Sequence, residues 1–544
     1  MSEAFPHNLL HSPSFTVAQP SGERSRMDLG EVLAALSREE AIEFPALQSH
    51  QQQAWHAFLV QLAALALHRA DKSSAIDAGA ENWRRWVGDL AEEEEAFCLV
   101  VEDLAKPAFF QPPVPEGHLK TFKRCSTSPE ILDILITAKN HDIKGDRFSI
   151  AAEAEHWAYV LITLQTMEGF LGRGNYGIAR MNGGFGSRPE LSLTESLSHG
   201  ARFRRDLSVL LAQREALEQR WFDAFHQVGD ITLLWTVPWG GGKSESLGLQ
   251  QVDPYFLEVC RRVRLHHGEA NTVVARVAPT QGARLSAKDL LGDVGDPWTP
   301  IRLKDNAALT ISESGFHYSR AQELLFGESF TRPPALIPRD EEKGDRIAIL
   351  RALARGQGKT GGYHERLLTI PGKMVGRFRQ PTVRQSWGEA SKDRVDRVDK
   401  VRLKVLKVSL LSLVQARVAA SEGTRLNFKD DRADPWLQRF DAEVDRVFFA
   451  DLFRDLAGDL EAEAREQRWQ ERLWDLSREA YEAARESLAP NSVHRYRALA
   501  DADGLFRGLR RKLLPLAAAS QRNSSPQDPG SSPAETNSNV EESL

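Results

Sequence analysis

The sequence predicts an α+β protein: a large mixed α/β N-terminal domain over residues 27–371, followed by a C-terminal four-helix bundle over 372–519. Two changes of period carry this reading. In the middle of the chain apolar residues alternate with polar ones, as on a strand, whereas beyond Pro371 they recur every three or four residues, as on an amphipathic helix. The elements follow in order. Residues 1–26 are rich in Ser, Pro and His around the apolar island Asn8-Leu9-Leu10 and read as a polar N-terminal segment. Residues 52–70 set Trp55, Phe58, Leu59, Leu62 and Leu65 on one helical face. A second helix, from Ala151 to about Gly169, carries Trp157, Val160 and Leu164 and runs into the glycine region 171–188, LGRGNYGIARMNGGFGSR. Leu257, Val259, Val263 and Leu265 share one strand face, with Arg262 and Arg264 on the other. Residues 231–237, 272–277 and 301–311 also read as strands, joined as hairpins rather than by helical crossovers, and 347–355 reads as helix.

The bundle is read from its stripes. Val398, Val401, Val405 and Val408 step by three and four on a helix reaching about Ala420. Asp434-Pro435 supplies a cap and a first-turn proline, and the helix after it carries Phe440, Val444, Val447, Phe448 and Leu452. Another runs to Leu488 with Trp469, Leu473, Leu476 and Ala480, and Pro490 stops it. The last, about Val493 to Leu514, carries Tyr496, Leu499, Leu509 and Leu513. Four such helices with short to moderate connections imply an antiparallel bundle. Residues 520–544 are polar and rich in Pro and Ser, so a disordered tail is expected.

Composition excludes several classes. The 544 residues hold 70 Lys+Arg against 76 Asp+Glu, a net charge of −6, so a globally basic nucleic-acid binder is ruled out and any such surface must be a local patch. Cys98, Cys125 and Cys260 are scattered and odd in number, which argues against a disulfide framework and a four-cysteine zinc site and for a reducing compartment. The opening MSEAFPHNLLHSPSF lacks a basic region followed by an apolar run, so no secretory leader is expected. The apolar stretch Trp55 to Leu67 is too short to span a bilayer. The expectation is a soluble, cytosolic protein without a membrane partner.

Three glycine motifs invite an enzymatic reading. Gly172-Arg-Gly174-Asn-Tyr-Gly177 fits GxGxxG, but a dinucleotide site needs that motif between a strand and a helix N-terminus, and here it follows a helix. Gly242-Lys243-Ser244 and Gly358-Lys359-Thr360 end like phosphate-binding loops, yet the required earlier glycine is replaced by Val237 and Leu353, and the second motif follows the expected helix 347–355. The same glycines suit a different use, because backbone without Cβ approaches a ligand closely; long surface turns would look the same. His266-His267, placed with Glu269 in a hairpin turn, has no metal-site partner spacing, and no nucleophile elbow surrounds Ser187. Neither a catalytic group, a metal nor a cofactor is expected. Arg397, Lys400, Lys404 and Lys407 step by three, four and three beside the valine face, with Arg507, Arg510 and Arg511 as a smaller set. Such a stripe is either a solvated helix face or a track for nucleic-acid phosphates.

Several stretches together resemble the large subunit of the type I-E CRISPR Cascade complex, the CasA family. Asn8-Leu9-Leu10-His-Ser-Pro13-Ser-Phe-Thr-Val17 resembles its opening NLLxxPWIPV, with Ser14-Phe15 in place of the family's WI. Region 169–188 resembles its glycine loop, and Asp296-Pro297-Trp298-Thr299-Pro300 its DPWTP segment. Gly356-Gln-Gly-Lys-Thr360-Gly-Gly-Tyr-His-Glu-Arg366 is similar to its GQGKTEGYHERR, departing at Gly361 and Leu367. The resemblance covers roughly residues 6–515. It implies a non-catalytic subunit that reads the short PAM in double-stranded DNA from the minor groove and starts strand separation, while the guide RNA held by the other Cascade subunits reads the sequence. It also implies recruitment of a helicase–nuclease. The glycine loop carries over to Asn175, Tyr176 and Gly177, the lysine finger to Lys288, and the strand-separating wedge to Gln357, Gly358, Lys359 and Thr360. Two other readings stand beside it: a nucleotide-dependent enzyme built on the GKS and GKT loops, and a helical scaffold that binds no nucleic acid.

Overall fold

Phe15 and Val17 alternate with Thr16 and Ala18, and this period-two pattern folds as β1 (Phe15–Ala18), paired antiparallel with β2 (Arg24–Met27). Leu9, Leu10, Phe15 and Val17 are all buried, so the segment expected to be polar contributes these four side chains to the core, while residues 20–24 are exposed. The computed structural model describes residues 8–75, 77–136, 138–141, 152–269, 272–416, 426–458, 460–490 and 493–514, with backbone alone at Arg124 and Cys125. The tail expected over 520–544 and the helix end expected near Ala420 lie outside the described residues. The chain divides into two units, Met1–Asp393 with Leu452–Ala457, and Arg394–Asp451 with Gly458–Leu544.

In the first unit, α1 (Leu29–Ser37) starts at a reciprocal cap in which Asp28 accepts from Glu31 N–H and the Glu31 carboxylate accepts from Asp28 N–H. α2 (Gln52–Arg69) is buried at every position from Gln53 to Leu67, not along one face as its stripe suggested. It is a central helix, enclosed by protein on all sides. Its Trp55 packs on Phe15, Phe44, Phe58 and Tyr159. α3 (Ala80–Gly88), β3 (Arg124–Ser126), α4 (Ala154–Met167), β4 (Glu190–Thr194), α5 (His199–Phe225), β5 (Ile231–Leu233) and β6 (Val252–Leu257) follow. The strand expected to continue through Val259 breaks after Leu257 and resumes as β7 (Arg262–His267), which forms a hairpin with β8 (Val273–Ala278). His266 and His267 therefore lie in a strand rather than a turn, and Arg276 Nε donates to His266 Nε2 at 2.8 Å. Short strands β9 (Ile301–Arg302) and β10 (Ala307–Ala308) precede α6 (Tyr318–Phe326).

The sheet that matters most for the site is antiparallel, in the order β12–β11–β4, with β11 (Arg346–Arg355) and β12 (Thr360–Ile370) joined as a hairpin. Residues 347–355, expected as helix, are thus the central strand. α7 (Gly372–Val375) is a single turn. The valine stripe lies on one continuous helical run, α8 (Pro381–Lys400), which enters the second unit at Arg394, a π-helical segment Val401–Lys407, and α9 (Val408–Gln415). α10 (Asp434–Ala457), α11 (Ala462–Leu488) and α12 (Arg495–Leu513) complete four helical runs, and the fold is α+β with a C-terminal helical bundle. Val398, Val401, Val405, Phe440, Val444, Phe448, Trp469 and Leu473 are buried as their spacing predicts. On α12 the predicted stripe holds at Leu499 but not at Tyr496, which is 84% exposed; Leu509 and Leu513 are half-buried, and the buried face is Ala498, Leu499, Ala502, Phe506 and Arg510, with Phe506 stacked on Tyr481. Among the described residues no helix is long and apolar enough to cross a membrane.

Candidate nucleic-acid interface

α4 ends at Met167, and within four residues the chain enters a tight hairpin. Leu171 N–H donates to Asn175 O and Asn175 N–H to Gly172 O, each at 3.0 Å. Gly172 and Gly174 lie at φ +108° and +88°, a region L side chains rarely occupy, so this turn requires glycine. Arg173 at its tip and Asn175 beside it are exposed. Gly177 has another reason to be glycine. A Cβ there would stand 2.7 Å from both Gly169 C and Phe170 N, so the residue lets the two arms of the loop touch backbone to backbone. An aspartate at 177 would displace that packing as well as alter charge. The arms are locked by Arg261, 3% exposed, whose Nη2 donates to Gly169 O at 2.9 Å and whose Nη1 donates to Tyr176 O. Gln165 Oε1 fixes Arg261 in turn by accepting from the N–H groups of Cys260 and Arg261, both at 2.8 Å.

The second loop is the tip of the β11–β12 hairpin. Gly356 N–H donates to Lys359 O at 2.9 Å, which leaves Gln357 and Gly358 at the turn, Gly358 at φ +69°. Gln357 and Lys359 are exposed. Thr360, expected in the wedge, points inward: it is 5% exposed, donates from Oγ1 to Ala354 O at 3.2 Å, and exchanges hydrogen bonds with the Asn140 side chain. Lys139 N–H donates to Gly358 O at 2.7 Å.

The fold brings these two loops together. A Cβ on Gly172 would stand 3.7 Å from Gln357 Nε2. Behind that contact, Arg355 Nη2 donates to Glu168 at 2.9 and 3.3 Å, both side chains being buried. Ser187 Oγ both donates to Leu353 O and accepts from Leu353 N–H, at 3.1 and 3.0 Å. Burial pushes the Glu168 carboxyl upward, while Arg355 and Arg261 pull it back toward the ionised form. Each end of the glycine region is therefore bonded to β11 or to the residue just before its turn. None of Arg261, Glu168 and Arg355 belongs to a motif, and only the tertiary structure identifies them.

Lys288 stands apart from this cluster. It is exposed on the short turn Lys288–Leu290, in a segment that begins at Thr280, whose N–H donates to Gly174 O at 3.1 Å, and ends at Leu291, whose carbonyl accepts from Ala308 at 2.9 Å. Among the described residues no hydrogen bond or ion pair joins Lys288 to either loop. Arg173, Lys139, Lys243, Lys288 and Lys359 are all exposed, and no described carboxylate lies within 4.0 Å of any of them. An exposed acid, Glu313, packs at Gly361 near the base of the wedge turn.

The basic stripe of the second unit is different. Arg397 pairs with Glu466, and Lys407 reaches Asp434 at 3.6 Å, while Lys400 and Lys404 remain exposed. Arg510 of the smaller set lies over the Trp474 ring at 3.7 Å, so it is a packing residue.

Neither a family model nor a curated protein matches the sequence. The fold does match. CasA from Thermus thermophilus superposes with a TM-score of 0.61 at 17% identity, over 93% of this chain and 99% of that one. A CRISPR-associated protein from Acidimicrobium ferrooxidans gives 0.63 at 14% identity, over 94% and 100%. The chain has the CasA fold. A chain of a CRISPR RNA-guided surveillance complex also matches, with a TM-score of 0.55 at 13% identity, over 93% of this chain and 99% of its own. Placed in the CasA fold, the GK motifs lose their enzymatic reading on context as well as spacing. Gly358-Lys359-Thr360 turns between two antiparallel strands, and Gly242-Lys243-Ser244 leads into a single 3-10 turn, so neither opens the helix that a phosphate-binding loop needs.

Proposed function

We propose that this protein is the large subunit of a type I-E CRISPR Cascade complex, a non-catalytic subunit that reads the PAM in duplex DNA and begins to open it. In this reading Asn175, Tyr176 and Gly177 present backbone to the minor groove, Lys288 enters the groove as a finger, and Gln357–Lys359 part the first base pair. Lys400 and Lys404 supply a shortened phosphate track. Its partners are double-stranded DNA, the guide-RNA ribonucleoprotein formed by other Cascade subunits, and a helicase–nuclease recruited on target binding. It works in the cytoplasm without cofactor or metal.

The observation that carries the reading is the seating of Gln357 against Gly172, in a protein with the CasA fold. Neighbouring base pairs are only ~3.4 Å apart along the duplex, so a reader and a wedge must be side by side. A groove ~6 Å wide admits a side-chain-poor turn more readily than a bulky one, and its degenerate code suits loose PAM readout. Opening costs about 1.4 kcal/mol per step, so the wedge only initiates and pairing with the guide supplies the rest.

The assembled complex is the test, on PAM-bearing duplex, scrambled duplex and a pre-melted bubble. Gln357→Ala with Lys359→Ala should spare PAM-duplex binding, slow the appearance of permanganate-reactive thymines, and be rescued by the bubble. Lys288→Ala should weaken closed-duplex binding on the order of 5- to 150-fold, the loss of one groove contact. A wild-type complex indifferent to the PAM, or a bubble that rescues neither variant, overturns the proposal.

A further inference from the structure

We infer that Phe185, backed by Phe170 and Tyr176, is a stacking platform for an unpaired nucleobase beside the strand-opening turn; this rests on the function proposed above. Phe170 and Tyr176 flank the Leu171–Asn175 hydrogen bond on opposite arms of the glycine hairpin, with ring centroids 5.8 Å apart. Phe185 lies 6.0 Å from Phe170 with planes only 24° apart, and it is 41% exposed. Three rings thus run from a half-buried root to an open face.

The backbone around Phe185 is bare. Gly183 and Gly184 precede it and Gly186 follows. A Cβ on Gly183 would meet nothing within 4 Å, so the backbone two residues before the ring is open. A Cβ on Gly186 would be 3.0 Å from Met181 and Thr310, so the chain is pinned there. The combination is a ring packed on Phe170 on one side and 41% exposed, on a chain pinned at Gly186. Phe222 and Phe428 are also exposed, at 53% and 55%, but among the described residues no aromatic ring packs against either.

The charge around the platform selects its occupant. The same hairpin carries Arg173 and the adjoining turn carries Lys359, two residues after Gln357; neither cation has a described carboxylate partner. Aromatic faces among unpaired cations are the recurring design of single-strand binding, where the ring takes the base and the cations take the flanking phosphates. A closed duplex hides its base faces, so the ligand has to be a base already freed from its partner. Every base has a π-face, and the site should be tolerant of sequence. Holding the first freed base would offset part of the unstacking cost and keep the opened pair from closing.

The test uses the assembled complex with 2-aminopurine placed singly at the first positions beyond the PAM, on each strand in turn. One position should be quenched on binding by wild type and by Phe185→Tyr but not by Phe185→Ala. Phe185→Ala should weaken binding to bubble DNA on the order of 5- to 150-fold, the value of one stacked base. Binding to a PAM duplex that ends at the first pair should be unchanged. The inference is overturned if no position shows Phe185-dependent quenching or if Phe185→Ala binds the bubble like wild type. It is equally overturned if Phe185→Ala blocks assembly, because the ring would then be an interface with another subunit. A wild-type complex that ignores the PAM would instead defeat the proposed function itself.

Discussion

The glycine hairpin with its neighbouring turn and the C-terminal bundle each display basic residues, and they handle them in opposite ways. On and beside the hairpin and the β11–β12 turn, Arg173, Lys139 and Lys359 have no described carboxylate within ion-pair reach: Glu168 and Glu258 are buried below, and the exposed Glu313 at the base of the turn pairs with none of them. In the bundle, Arg397 pairs with Glu466, Arg402 with Asp441 and Arg472 with Asp451, so much of the positive charge is already answered. A run of cations in a sequence counts charges, whereas binding a polyanion requires charges without internal partners. By that measure the glycine-rich region is the better candidate for DNA, although its motif contains fewer basic residues.

The contrast depends on the hairpin being held rigidly, and Arg261 is the point at which to break it. Arg261→Ala removes, besides a bond to its neighbour Cys260 O, the two charge-assisted hydrogen bonds to the hairpin and leaves the carbonyls of Gly169 and Tyr176 without their donor. At ~1.5–3 kcal/mol per bond, a loss of about 3–6 kcal/mol in stability is expected. PAM-duplex affinity should fall with it. Arg261→Lys keeps the charge but reaches one carbonyl at a time, so it should recover part of both. Thermal unfolding and gel shift on the same preparations check this. If Arg261→Ala loses stability yet binds PAM duplex at full strength, the hairpin is not what positions the DNA.

How far the sequence foretold this arrangement differs by element. The bundle was legible because Val398, Val401, Val405, Phe440 and Phe448 face a single apolar environment, and burial on one side leaves a 3.6-residue period. β11 was not. Its sequence RIAILRALAR is rich in good helix formers, and only pairing with β4 and β12 makes it a strand. α2 was misjudged in a milder way, since a helix buried all round has no polar face to mark its orientation. Within the site, the glycines at 172 and 174 announced a turn. The partnership of Gly172 with Gln357, and the Glu168–Arg355 pair behind it, join segments far apart in sequence. No local pattern encodes such a contact. Thr360 continues the string that forms the turn, but its backbone is held by Asn140 and its hydroxyl by Ala354 O, contacts that no local pattern reveals.

Buried charge sharpens the same comparison. Glu258 is fully enclosed, accepts from Ala179 N–H in the glycine region, and lies near Arg180, yet burial pushes its carboxyl up to about 7. Its folded value is therefore above the unfolded value of 4.5. Below the unfolded value both states are protonated and nothing is lost. As pH rises the unfolded chain releases the proton first, so stability declines until the folded group ionises near pH 7, and is constant above. Glu258→Gln keeps an acceptor for Ala179 without the charge. It should stabilise the protein by up to about 3 kcal/mol at pH 8 and by almost nothing near pH 4. Denaturant melts across that range would measure it. A gain that is the same at every pH would mean that packing, not ionisation, distinguishes the two side chains.

The smallest effects are expected in the bundle, where they decide whether its stripe contacts DNA at all. Arg397→Ala and Lys407→Ala each remove a partly exposed ion pair, which should cost no more than about 1 kcal/mol. Neither cation is free to release a counterion from DNA, so the salt dependence of target binding by the assembled complex should not change. Lys400→Ala and Lys404→Ala remove exposed, unpaired ammonium groups and should alter stability by about 0.5 kcal/mol or less. Each should nevertheless reduce the slope of log affinity against log salt by about 0.9, equally for different PAMs, because phosphates carry no sequence. If all four variants lower the slope alike, the bundle's ion pairs open on DNA and the distinction between answered and unanswered charge is wrong. If none does, Lys400 and Lys404 are a solvated helix face, and the cations that remain for DNA are those around the glycine hairpin.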